Sequence, residues 1–189
     1  KKLNDIGYGQ NFDIEIINST NDKLRKKYTE FLFKRLQRSE GLLERDCDKL
    51  IRNDRVTFGA CMVSCGDADA MVTGNTRRYS ASLEKICKVI DPRPGEIMFG
   101  LNMIVNRGKT IFICDTTVIE YPDEKQLAEM AISAARVVRL FGFDPKIAFL
   151  SHSTFGQPTT DRTKRISDAV ELLKKKKVDF KFDGEMQPD

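Results

Sequence analysis

The sequence holds one histidine, His152, no apolar run near the ~18 residues that a membrane-crossing helix needs, and almost no surplus of charge. Each shortage removes a class of function. With one imidazole in 189 residues, a zinc site lacks ligands even though Cys61 and Cys65 share a helix face. A formal charge of +4, from 32 basic and 28 acidic residues, is too small and too interspersed for a nucleic-acid footprint. The densest basic run, Lys174 to Lys177, closes a helical segment, where lysines suit the negative dipole end and a solvated face. Lys1-Lys2-Leu3-Asn4 does not begin a signal peptide, so the expectation is a cytoplasmic protein with neither membrane nor nucleic acid as partner. The cysteines, Cys47, Cys61, Cys65, Cys87 and Cys114, are odd in number and fall mostly on apolar faces, which reads as buried free thiols.

What the chain does have is concentrated in residues 66–74, Gly-Asp-Ala-Asp-Ala-Met-Val-Thr-Gly. Upstream, Phe58, Cys61 and Met62 sit at helical spacing, and Gly66 can take the left-handed conformation that ends a helix. Ala70-Met71-Val72 is short and apolar, as a buried strand would be, and residues 74–80 lead into the helical pattern of Leu83, Ile86, Cys87 and Ile90. A loop that leaves a strand and enters a helix N-terminus gathers free backbone N–H groups. Thr76, Arg77, Arg78 and Ser80 add donors for an anion.

The length suits one full α/β domain or two small lobes. Residues 12–17 read as a strand, and Asn18-Ser19-Thr20-Asn21-Asp22 as a turn and N-cap. Leu24, Tyr28, Phe31, Leu32, Arg35 and Leu36 then follow amphipathic helical spacing, interrupted at Gly41. A second helix spans about 45–52, and Asn53-Asp54 caps the helix leading to Gly66. Asp91-Pro92-Arg93-Pro94-Gly95 excludes a regular element and marks a boundary between a first lobe, 1–90, and a second, 91–189. In the second lobe, 97–105 and 110–114 read as strands joined by a hairpin turn at 106–109. Pro122 opens a helix with the stripe Leu127, Ala131, Ala134, Val138 and Phe141, ended by Gly142. Residues 146–150 read as a short buried strand, 161–176 as a helix, and 178–182 as an edge or half-buried strand. Strands alternating with helices imply an α/β/α layered architecture. The stop straight after the last strand reads as a fragment of something longer.

Ser151-His152-Ser153-Thr154-Phe155-Gly156 follows a strand, the place where open α/β sheets bind ligands. Its hydroxyls can bind phosphate or satisfy the turn's own backbone, and the serine–histidine pair lacks the oriented carboxylate a triad needs. Asp67 and Asp69, two apart on an extended segment, project to one face; the favoured role is to cap and hold the first loop, because no third oxygen ligand is near. Asp115 invites the same two readings. Arg35 and Arg38, near a helix end, can reach a phosphate or simply be solvated.

Taken in order, residues 66–74, 115–118, 127–132, 148–156 and 183–187 resemble the phosphate acetyltransferase/butyryltransferase family. Gln37-Arg38, residues 76–80, Ser153-Thr154-Phe155-Gly156 and residues 178–186 most resemble the C-terminal, phosphotransacetylase-like domain of the hybrid NADP-dependent malic enzymes. The resemblance implies an α/β protein with a three-layer α/β/α phosphotransacetylase-like (isocitrate/isopropylmalate dehydrogenase-like) fold, two-lobed with a coenzyme A cleft and truncated at its C-terminus. It further implies ligand contacts from Thr76, Arg77, Arg78, Ser80, Ser151, Ser153, Thr154 and Arg38, with Gly66, Asp67, Asp69 and Gly74 as loop scaffold. Catalytic residues are expected to be absent: the family's serine, arginine and aspartate follow the aspartate–glycine strand, beyond these residues. Where transferases often carry an arginine after threonine-leucine, Ser82-Leu83 is followed by Glu84, whose charge would repel an anion. The expected function is then a regulatory domain that binds acetyl-CoA as effector and builds a homo-oligomer, dimer or higher. NADP and a divalent metal would belong to a malic-enzyme catalytic half of the same chain. A phosphate acetyltransferase fragment and a purely structural oligomerisation module are the alternatives.

Overall fold

The computed structural model describes residues 15–20, 23–115, 117–155 and 160–188. It separates into two compact units, residues 1–91 and 92–189. The first contains four helices among its described residues: α1 (Leu24–Leu36), α2 (Glu44–Asn53), α3 (Arg55–Ser64) and α4 (Tyr79–Cys87). Tyr28, Leu32 and Leu36 recur every four residues on one face of α1, and they are buried against Cys47, Ile51, Phe58, Ala60, Cys61 and Val89. Tyr28 and Phe58 meet edge to face, with ring centres 5.1 Å apart. Asp54 divides α2 from α3: its amide donates to the Leu50 carbonyl at 2.9 Å, and its carboxylate caps α3.

The strand expected at 12–17 is not found where it can be seen. Residues 15–17 are irregular and Ile16 is exposed, while residues 12–14, with Asn21 and Asp22 of the expected cap, lie outside the described residues. The buried strand expected at Ala70-Met71-Val72 is also absent. The segment is irregular and Val72 fully exposed, because among the described residues no strand edge adjoins it for its backbone groups to pair with. Met71 alone anchors it, lying over Gly59 of α3 so closely that a Cβ there would meet its sulfur at 2.6 Å.

The second unit holds a hairpin, β1 (Leu101–Asn106) and β2 (Lys109–Cys114), then α5 (Glu124–Leu140), β3 (Lys146–Leu150), α6 (Asp161–Lys176) and β4 (Lys181–Met186). Among the described residues, the strands form an antiparallel β1–β2 pair and a parallel β3–β4 pair. Arg107 and Gly108 both take positive φ, 47° and 78°, as a two-residue hairpin turn requires. The first strand starts later than residue 97, because the Gly100 amide is taken by the Asp115 carboxylate at 3.0 Å. Asp123 and Gln126 cap α5 reciprocally, and Thr160 and Thr163 do the same for α6, which begins at Asp161.

Ala128, Ala131, Ala169, Val170 and Leu173 form the second core around Phe149. Phe141 of the expected α5 stripe is instead more than half exposed, since the helix ends there and the chain turns at Gly142. Of the strand at 146–150, only Phe149 is buried, with Leu150 exposed. The last strand lies at Lys181–Met186 instead of 178–182, because Arg139 takes the Asp179 carbonyl (3.2 Å) and carboxylate (3.0 Å) before the parallel register begins at Lys146–Lys181.

Cys47 and Cys61 are buried, with burial pushing the Cys61 thiol up to about 12. Cys65 and Cys87 are half-buried and Cys114 is exposed, against the expectation of general burial, because their elements have a single packed face. Among the described residues no helix is long and apolar enough to cross a membrane, and no histidine, cysteine and carboxylate cluster is placed to hold a metal.

Candidate functional site

The loop from Gly66 to Arg78 is fixed at its start by a helix terminus. Gly66 takes φ +75°; its amide donates to the Val63 carbonyl at 3.1 Å, and the Asp67 amide reaches back to Met62 at 2.8 Å. This pair of bonds closes the end of α3 as a Schellman motif does, which only a residue tolerant of positive φ permits. Asp67 then ties the loop to α1, accepting from Lys27 Nζ at 2.6 Å and the Tyr28 hydroxyl at 3.0 Å. Those two bonds, Lys27 first, hold its carboxyl below the usual carboxylate range. Asp69 is exposed and makes no hydrogen bond or ion pair among the described residues.

Further on, Gly74 has φ +136°, Asn75 has φ 66°, and the Thr76 amide closes onto the Gly74 carbonyl at 2.8 Å. Arg78 is the N-cap of α4, and no side chain caps the helix's first amides. Thr76, Arg78 and Ser80 are exposed. The buried Ser82 hydroxyl, one turn into α4, has no hydrogen-bond partner among the described residues.

Arg77 differs from its neighbour. Its Nη1 donates to Asp54 Oδ2 at 2.9 Å, and the Lys85 ammonium of α4 donates to the same oxygen. The other oxygen accepts from the Val56 and Thr57 amides at 2.9 and 3.1 Å. Burial pushes the Asp54 carboxyl up, but Lys85, the Thr57 amide and Arg77 outweigh it and hold it below the usual range. Sequence reading gave Asp54 a capping role and left its two cations, and Lys85 entirely, unnoticed. Nothing local signals pairings that span 23 and 31 residues.

Arg38 lies just past α1, exposed, and its side chain makes no hydrogen bond or ion pair among the described residues. Arg35 is already committed: it grips Asp91 with two nitrogens at 2.8 and 2.7 Å and donates to the Lys88 carbonyl at 2.6 Å.

The second candidate loop follows β3 and turns inward. Ser153 is only 2% exposed, and its hydroxyl lies 3.4 Å from that of Ser151. The Ser151 and Phe155 amides donate to Met186 and Glu185 carbonyls at 2.9 and 3.0 Å. Gln187 closes the loop, with its amide on the Thr154 hydroxyl at 3.3 Å and its side chain on the His152 carbonyl at 2.7 Å. Gly156 lies outside the described residues. Below the loop, Gly184 has φ +148° and presses so close to Phe149 that a Cβ would lie 2.7 Å from the phenylalanine's own. Asp115, in the same unit, is likewise saturated: it accepts from Gly100, Thr117, Val118 and Ile119 amides, which overcome the cost of its burial and hold its carboxyl low.

A family model described as phosphate acetyl/butaryl transferase matches residues 2–189. An NADP-dependent malic enzyme of Rhizobium meliloti is 44% identical over 176 residues, which are 93% of this chain and 23% of the relative. A phosphate acetyltransferase of Helicobacter pylori is 27% identical, covering 94% of this chain and 34% of that protein. Among solved structures, a phosphotransacetylase from Streptococcus pyogenes superimposes with a TM-score of 0.85 at 28% identity, over 98% of this chain and 56% of that one. The chain thus spans about a quarter of the malic-enzyme relatives it matches, and its fold is the α/β fold of phosphotransacetylases.

Proposed function

The chain belongs to the phosphate acetyl/butaryl transferase family, and on that footing we propose that it is the regulatory, acetyl-CoA-binding and oligomer-building domain of an NADP-dependent malic enzyme. Identities of 44% and 42% to two NADP-dependent malic enzymes, against 27% to the Helicobacter pylori phosphate acetyltransferase, support the malic-enzyme half of the reading. The observation that carries the ligand half is the first loop. Arg78, whose side chain makes no ion pair among the described residues, stands at the N-terminus of α4, which no side chain there caps, and helix amides and a guanidinium together favour a phosphate. In this reading the rest of the protein, in the cytoplasm, converts malate to pyruvate oxidatively with NADP and a divalent metal. Acetyl-CoA acts by preferring one of two states of the assembly, and its leverage equals its difference in affinity for them.

Calorimetric titration of acetyl-CoA into the full-length protein, run beside an assay of malate-dependent NADP reduction, tests this. Saturable binding with altered malate turnover is expected; no binding at millimolar acetyl-CoA refutes it. Likeness to phosphotransacetylases in sequence and fold favours a second reading, in which the full-length protein exchanges acetyl between CoA and phosphate. Formation of acetyl phosphate from acetyl-CoA and phosphate would establish that reading instead. A purely structural module would bind no CoA, yet its deletion would dissociate the oligomer.

A further inference from the structure

Two neighbouring arginines of the first loop are in different states. Arg77 is bonded to Asp54, a carboxylate only 7% exposed, while Arg78 is exposed and its side chain makes no hydrogen bond or ion pair among the described residues. Asp54 sits where α2 ends and α3 begins, and through Arg77 and Lys85 it also grips the loop and α4. Four segments therefore converge on one carboxylate. For Arg77 to reach a ligand it would have to leave a buried anion with one cation fewer, which a low-dielectric site penalises. Arg78 faces no such penalty, and it stands beside the open amides of α4.

We propose that Asp54 is the positioning residue of this loop, holding it through Arg77 and Lys85, and that Arg78 is the cation that contacts a phosphate of the ligand. The assignment rests on the acetyl-CoA reading above. It gives the two arginines separate roles that their adjacency conceals.

The test uses the full-length protein with Asp54→Asn, Arg77→Met, the double variant and Arg78→Met, each followed by acetyl-CoA titration and heat unfolding. Asparagine caps a helix as well as aspartate does, so Asp54→Asn removes the charge and keeps the cap. Asp54→Asn and Arg77→Met are each expected to weaken binding about threefold and to lower the unfolding temperature, with the double variant little worse than Asp54→Asn alone, because the Asp54–Arg77 contact is already lost in that variant. Arg78→Met is expected to weaken binding roughly tenfold or more, as loss of a charge-assisted hydrogen bond does, with the unfolding temperature unchanged and Arg78→Lys restoring part of the affinity. Arg78→Met binding like wild type, or additive losses from Asp54→Asn and Arg77→Met, would overturn the assignment while leaving acetyl-CoA binding intact. A wild-type protein that gives no heat with acetyl-CoA would refute the regulatory reading itself, and the role of Arg78 with it.

Discussion

The loop that enters α4 leaves a cation and a set of helix amides facing solvent, whereas the loop that leaves β3 ties its amides to β4 and its hydroxyls to one another or to Gln187. Both follow the same local logic of polar residues between an apolar segment and a helix. They differ in what already satisfies those polar groups. In the first loop, Asp54 and Asp67 engage Arg77, Lys85, Lys27 and Tyr28 from below, and the exposed groups above them stay open. In the second, Ser151, Ser153 and Thr154 bond to each other or to Gln187. On the proposed reading, the charge left unpaired after a loop has folded, more than its number of hydroxyls, marks the anion site.

The contrast can be broken from either side. Gly184→Ala should have the largest effect, about 2–4 kcal/mol of lost stability, because its Cβ has no room beside Phe149 and its φ suits only glycine. Heat unfolding of the full-length protein measures it, and hydrogen exchange should show the loss confined to the second unit. Asp54→Ala should cost about 2–3 kcal/mol, from a lost cap and two cations left with a smaller share of solvent than they need. Asp54→Asn, which keeps the cap, should cost about 1 kcal/mol.

A smaller effect follows pH. Asp54 and Asp67 are held below the ordinary carboxylate range, so the unfolded chain takes up protons before the folded one does as pH falls. Their stabilisation is complete above the unfolded value near pH 4 and declines below it, and Asp54→Asn should flatten that decline in acid-unfolding curves. Smallest is Gln187→Ala, which removes the exposed side-chain bond to the His152 carbonyl, keeps the backbone bond to Thr154, and should cost about 0.5–1.5 kcal/mol.

How much of this could be read beforehand follows from the range of each interaction. The helix at 161–176 was legible in full because Thr160, Thr163 and the terminal lysines are local signals. Gly66, Gly142 and the turn at 107–108 were legible for the same reason: each needs positive φ within a few residues of a pattern change. Strands were less so. Val72 and Ile16 have strand-like neighbours in sequence, but a strand exists only where another edge accepts its backbone, and no such edge adjoins either segment among the described residues. Displacement of the last strand depended on Arg139 reaching across 40 residues to Asp179. In the candidate site, the scaffold role of Asp67 could be argued from its place beside Gly66, but the pairing that distinguishes Arg77 from Arg78 is tertiary. Composition counts them as equal cations.

The central claim, that unpaired charge makes the first loop and not the second the phosphate-binding one, is tested most directly by measuring acetyl-CoA affinity of the full-length protein carrying Arg78→Ala against one carrying Ser151→Ala and Thr154→Ala. Affinity should fall roughly tenfold or more in the first and stay within about twofold of wild type in the second. An undiminished affinity in the arginine variant, with a large loss in the hydroxyl variant, would contradict the account.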